Sequence, residues 1–320
     1  MSKKRALITG VTGFVGPHLA DLLLSQGDVD VMGTYRDSQN LQTLGPLRDR
    51  IELYPMDLTD QATVQETLTQ ARPDYLFHLA AQSNVAQSWK KSAQTFDVNV
   101  LGTIHLFEAI RTLALDPVIQ IACSSEQYGL VAQEDLPVTE ETAFHPLSPY
   151  AVSRVTVDLL SYQYFKSYGL QAIRTRAFNH TGPGQGDQFV CSRFAKKIAE
   201  IEKGIAPAVL TVGNLEAVRD FTDVRDVVRA YAMSVVKGKP GETYVIASGV
   251  GRSIREVLER LLRMSRVPIL VEIDPALLRP SDVPALYGAS DKFKEATDWK
   301  PEIPFEQTLS DLLDYWRARV

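Results

Sequence analysis

Tyr150 is followed four positions later by Arg154 in the stretch SPYAVSR, and Ser124, Ser125 and Glu126 stand together in CSSEQYG. Residues four apart on a helix share a face, so the phenol and the guanidinium would lie side by side. A phenol, with a pKa of about 10, is a poor acid at neutral pH unless a neighbouring cation stabilises its anion. Arg154 supplies a permanent cation. A serine hydroxyl beside the pair would complete a site that binds a carbonyl oxygen and gives it a proton. Without a cofactor site nearby, the same two residues would be an ordinary stack on an exposed helix.

The elements that must carry these residues alternate. RALIT reads as a strand, PHLADLLLSQG as most of a helix with Pro17 in its first turn, and VDVMGTY as the second strand. RIELYPMDL contains the third strand, QATVQETLTQA is helical, and DYLFHLAA is a strand. TFDVNVLGTIHLFEAIRTLAL reads as one helix, VIQIACS as a strand that Ser124 closes, and a further helix runs from about Pro149 to Tyr168 before LQAIRTRAF. Apolar strands spaced by helices imply an α/β fold, a doubly wound parallel Rossmann sheet that binds ligands beyond its carboxyl ends. Residues 1–178 are assigned to this domain. After NHTGPGQGD the rhythm breaks, and residues 179–320 are expected to form a smaller C-terminal α/β lobe over the cleft, with some exchange of strand or helix between the two.

Composition narrows the class. The 320 residues are 45% apolar and 23% charged, as in an ordinary globular protein, and the net charge of −5 argues against nucleic-acid binding. Cys123 and Cys191 fit neither a zinc pattern nor a disulfide framework, which points to a reducing cytoplasm and no metal. The apolar run in MSKKRALITG is too short for a signal peptide, and no stretch approaches a membrane span.

TGVTGFVG places Gly10, Gly13 and Gly16 after the first strand and at the opening of a helix, with Phe14 and Val15 between the last two. Such a turn lets backbone approach a pyrophosphate, and the helix amino terminus adds N–H groups and partial positive charge. At the end of the second strand, GTYRDS offers Arg36 where NAD sites usually carry a carboxylate; Asp37 falls too late for that role. NADP(H) is therefore expected, with NAD(H) possible, although Arg36 alone would also pass for a solvated surface residue. Asp57, with Leu58 beside it, closes the third strand, where a carboxylate can meet an adenine amino group. Asp60 is the better helix cap of the two acids.

Taken in order, TGVTGFVG, HLAAQS, DVNVLGT, CSSEQYG and SPYAVSR resemble the extended short-chain dehydrogenases/reductases. The resemblance implies that Tyr150 protonates the substrate oxygen and Ser124 hydrogen-bonds it. Arg154 takes the place of a lysine that binds the nicotinamide ribose and lowers the tyrosine pKa. It also implies that Asn99 shapes the active site and that Ala80, Ala81 and Gln82 lie along the cofactor. FNHTGPGQGDQFV, VGNLEAVRDFTDVRDVVRAY, LRPSDVP and ATDWKPEIPFEQTLSDLLDYW are similar to the GDP-sugar members, so the likeness runs from Lys4 to Trp316. By that match Ser125, Asn179, Val190, Arg193, Arg219, Arg279 and Asp282 line the nucleotide-sugar site. Guanidinium groups suit a diphosphate; Arg225 and Arg229 are expected in surface ion pairs instead.

The implied reaction is reduction of the C4 ketone of a GDP-linked 6-deoxyhexulose, giving GDP-D-rhamnose. The rival is GDP-mannose 4,6-dehydration with Glu126 as base, and a third reading is an NADP(H) sensor without turnover. Residues 36–51 are short for a dehydratase, and GPGQG reads more like a reductase. Family members commonly form homodimers through a four-helix contact; here Val100, Ile104, Leu159 and Tyr162 would either supply that face or serve as core.

Overall fold

Runs that are apolar at every position need cover on both sides, and β1 (Lys4–Thr9) has it: its last four residues are buried. The computed structural model describes residues 3–277 and 283–320. After β1 come α1 (Val15–Gln26), β2 (Val29–Tyr35), β3 (Glu52–Pro55), α2 (Gln61–Ala71) and β4 (Tyr75–His78). Then follow α3 (Val85–Lys90), α4 (Ser92–Phe96), α5 (Gly102–Thr112), β5 (Val118–Ser124), α6 (Pro149–Tyr168) and β6 (Ala172–Ala177). The remainder is β7 (Asn179–Thr181), α7 (Val190–Glu202), β8 (Val209–Val212), β9 (Val218–Asp223), α8 (Val224–Lys237) and β10 (Thr243–Ile246). The chain closes with β11 (Gly251–Ser253), α9 (Ile254–Arg263), β12 (Leu270–Ile273), β13 (Ala285–Leu286), α10 (Asp291–Thr297) and α11 (Phe305–Arg317).

Seven parallel strands form the main sheet in the order β10-β6-β5-β4-β1-β2-β3. One face is packed by α1 and α8 and the other by α2, α5 and α6, giving a separate core on each side. Strand order reverses between β1 and β4, so the ligand crevice of a doubly wound sheet opens at their carboxyl ends. A third core joins α7, α9 and α11 to β8 and β9. Beside it β7, β9, β11 and β13 make a small sheet.

β10 and α8 follow residue 178 and belong to the main sheet's layers: β10 pairs with β6, and α8 packs on α1. Other elements depart from the sequence reading. β4 stops at His78 rather than running to Ala81, because the N–H groups of Leu79 and Ala80 turn to the Thr9 hydroxyl. The single helix expected over TFDVNVLGTIHLFEAIRTLAL is α4 and α5 joined by a π turn, Asp97–Leu101. Residues 38–50 form 3-10 turns that bury Leu41 and Leu44 in the α1 core. Their pattern has neither helical nor strand period. Val100 is core, whereas Leu159 and Tyr162 are 55% and 43% exposed on α6.

Candidate active site

Local signals set α6 in place. Ser148 accepts from the Ala151 N–H, Pro149 fills the first turn, and Gly169 ends the helix in a left-handed conformation. Tyr150 and Arg154 therefore share the buried face, 8% and 4% exposed, with the guanidinium 5.4 Å from the phenol ring. The Arg154 Nε has no hydrogen-bond partner, and among the described residues no ion pair involves this arginine. A buried cation without a counterion is costly, and it leaves hydrogen-bonding capacity for a polar ligand.

Ser124 ends β5 at 9% exposure and caps the short turn that follows it. Its Oγ accepts from the Glu126 N–H at 3.2 Å, so its own proton can point to a substrate. Behind it, Gln127 accepts from the Ser124 N–H at 2.9 Å and donates to Asp158 at 3.0 Å. Asp158 is fully buried between Arg174 and Arg176, each 2.8 Å away. Burial would raise its carboxyl pKa, but Arg176, Arg174 and the Gln127 amide together outweigh that and hold it below the ordinary value. Glu126 is half-buried on the turn, and Ser125 is buried with its carbonyl accepting from Tyr128.

The glycine-rich turn is built for close approach. Gly10 has φ 68°, and a Cβ there would lie 2.9 Å from the Ala80 Cα; at Gly16 it would lie 2.3 Å from the Val11 carbonyl. Phe14 precedes α1 without a side-chain cap, which leaves the first-turn N–H groups, Val15 among them, for an anion. Arg36, Asp57, Thr59, Gln94, Asp97, Val98, Leu101 and His105 line a cavity of about 420 Å³ beyond β2 and β3. Leu58 is buried beside it with its carbonyl held by His105. Asp37 caps residues 38–50 by accepting from the Gln39 N–H, and Asp60 caps α2. Asn99 accepts from the Gln82 N–H at 2.8 Å and donates to its carbonyl at 3.1 Å, fixing the segment after Ala80 and Ala81. This run of bare backbone, unpaired cation and adjoining cavity fits a nicotinamide dinucleotide. Among the described residues no cluster of His, Cys, Asp and Glu could hold a metal ion.

Asn179 and Arg219 stand on the paired strands β7 and β9 of the small sheet, with Asn179 opposite Phe221. Arg219 donates to the carbonyls of Val218 and Val283. Val190 opens α7, and the exposed Arg193 donates to the Asp187 carbonyl. Arg279 and Asp282 lie outside the described residues. Arg225 pairs with Asp223 and Asp311, and Arg229 with Asp226 and Glu302, as structural ion pairs. The loop between β7 and α7 is tied to the cofactor helix: His18 donates to the Pro183 carbonyl at 2.8 Å, and Phe14 stacks on His180.

Residues 7–312 match the model of the GDP-mannose 4,6-dehydratase family. The chain belongs to that family. It is an enzyme of the extended short-chain dehydrogenase/reductase type. Over 317 residues it is 33% identical to GDP-6-deoxy-D-mannose reductase of Pseudomonas aeruginosa, covering 99% of this chain and 98% of that one. Over 353 residues it is 34% identical to a GDP-mannose 4,6-dehydratase of Vibrio cholerae, covering 98% and 93%. The structure of RMD from Pseudomonas aeruginosa complexed with NADPH superposes with a TM-score of 0.85 at 32% identity, over 99% and 100% of the two chains. Sequence reasoning missed Ser153, His78 and Thr103, whose contacts join distant segments, although each stands inside a quoted motif: SPYAVSR, HLAAQS and DVNVLGT.

Proposed function

We propose that the protein reduces the C4 ketone of GDP-4-dehydro-6-deoxy-D-mannose to GDP-D-rhamnose, with NADPH as the preferred reductant. Identities of 33% and 34% do not separate reductase from dehydratase. Length is what supports the reductase: that alignment spans 317 positions, whereas the dehydratases take from 328 to 353 for nearly the same share of this chain. Residues 38–50 agree, since Leu41 and Leu44 anchor this short segment in the α1 core.

In this reading Tyr150 donates its proton to the ketone oxygen as C4 becomes a secondary alcohol carbon, and the Ser124 hydroxyl holds that oxygen. Arg154 stabilises the tyrosinate left behind and donates to ribose hydroxyls. The bound nicotinamide supplies the hydride for C4. Asn179, Val190, Arg193 and Arg219, with Arg279 and Asp282, are proposed to hold the GDP moiety. Absorbance of NADPH tests the reading: stoichiometric oxidation by GDP-4-keto-6-deoxymannose, with a reduced GDP-deoxyhexose formed, is expected. Glu126, on the turn capped by Ser124, favours a second reading. Dehydration of GDP-mannose without oxidation of added NADPH would establish that one. NADPH binding without turnover of either sugar would leave a cofactor-binding protein.

The cofactor preference rests on Arg36, since Asp37 is engaged as a cap. Arg36→Ala is expected to weaken NADPH by roughly 10- to 100-fold, the worth of charge-assisted bonds to a 2′-phosphate, and NADH hardly at all. Equal loss for both cofactors in a fluorescence titration would remove Arg36 from that role. A homodimer through α5 and α6 is proposed on the exposure of Leu159 and Tyr162. Sedimentation should find a dimer that Leu159→Glu converts to monomer; a monomeric wild type would refute the contact.

A further inference from the structure

His78 ends β4 at 1% exposure, where leucine would fill the space at no polar cost. Its Nδ1 lies 3.0 Å from Thr9 Oγ1 and its Nε2 3.0 Å from Thr103 Oγ1. Neighbouring contacts fix the direction of both bonds. Thr103 Oγ1 lies 2.6 Å from the Asn99 carbonyl oxygen, which can only accept, so the Thr103 proton is committed there. Thr103 must then accept from His78, which places the ring proton on Nε2. Burial pushes the imidazole pKa down to about 3, with the positive charge of Arg154 adding to the shift. The ring is therefore neutral and Nδ1 is a bare acceptor. Thr9 Oγ1 already accepts from the N–H groups of Leu79 and Ala80, both at 3.1 Å, and its own proton goes to Nδ1 at 3.0 Å in preference to the Phe77 carbonyl at 3.5 Å.

The hydrogen bonds thus run one way, from Thr9 through His78 and Thr103 to the carbonyl of Asn99. Asn99 passes the constraint on. Besides clamping Gln82, its amide donates to Ser153 Oγ at 2.9 Å, and Ser153 donates to the Tyr150 carbonyl at 2.7 Å. We propose that His78 is a positioning residue: through Thr103 it fixes Asn99, and through Asn99 it sets the spacing between Tyr150 and the cofactor strip at Gln82. The inference rests on the reading of Tyr150 as the proton donor to a substrate held against that strip.

Nitrogen NMR of histidine-labelled protein tests the first half without any substrate. His78 is expected as the Nε2–H tautomer throughout about pH 5 to 8. An Nδ1–H tautomer, or titration of His78 in that range, overturns the proposal. Kinetics test the second half. His78→Phe fills the space without hydrogen bonds, His78→Asn reaches only Thr9, and His78→Gln keeps a donor for Thr103. The Phe and Asn variants are expected to lose roughly 10- to 100-fold in kcat with KM for the GDP-sugar within about twofold, and Gln to recover most of the loss. Wild-type kcat in the Phe variant, or Asn and Gln behaving alike, sinks the idea. Should His78→Phe fail to fold, Thr103→Val cuts the same bond, with the same expected loss; wild-type kcat in that variant overturns the proposal. Absence of turnover in the wild type would instead refute the reductase reading. The same variants are then judged by NADPH affinity, where Phe and Asn are expected to be about tenfold weaker and Gln unchanged; equal affinity in all three overturns the proposal.

Discussion

Tyr150→Phe is expected to lower kcat by roughly 10²- to 10⁴-fold, the usual worth of a positioned general acid. NADPH affinity should stay within about threefold, because the substitution removes one hydroxyl and none of the α6 packing. The ring keeps its place at the start of α6, where the cap on Ser148 and the first-turn proline do not involve the phenol oxygen. The Arg154 guanidinium also keeps the aromatic face beside it. Steady-state NADPH oxidation and a fluorescence titration of the cofactor check the two halves. A variant that retains more than about a third of wild-type kcat would show that another group donates the proton.

Arg154 should give the second large effect, and with opposite signs for activity and stability. The side chain is a cation at 4% exposure with its Nε unpartnered, so the ligand-free fold carries a desolvation cost that no ion pair among the described residues offsets. Arg154→Met removes that cost while keeping the volume. Stability is expected to be equal or higher by about 1–4 kcal/mol, a rise of a few degrees in Tm. Activity should fall by roughly 10²-fold or more, since the tyrosinate then loses its neighbouring cation. Arg154→Lys, which keeps the charge as a compact ammonium, should preserve or raise kcat. Calorimetry and turnover on the same preparations decide the matter. A destabilised Met variant would mean that Arg154 serves the fold, and a large loss in the Lys variant would mean that the fork of the guanidinium itself is required.

A gain in stability paired with a loss of activity is the mark of a residue kept for its ligand. Asp158 makes the contrast. It is as buried as Arg154, but Arg174 and Arg176 hold it from both sides, so its charge is answered within the protein.

Much of this was legible in the residues themselves. Uniformly apolar strands between amphipathic helices were enough for a doubly wound sheet. Gly10, Gly13 and Gly16 marked the phosphate turn, and the spacing of Tyr150 and Arg154 put both on one face of a helix whose ends were also readable. These features depend on contacts within a few residues, which local spacing encodes. The tertiary structure decided what long-range packing alone can fix. It brought β10 into the main sheet and α8 onto its face, gave Asp37 to a cap, and left Arg154 without a counterion among the described residues. It also set Thr9 against His78, and His78 against Thr103. No short-range pattern announces a hydrogen bond across 69 positions of chain, because its geometry exists only once the strands have paired.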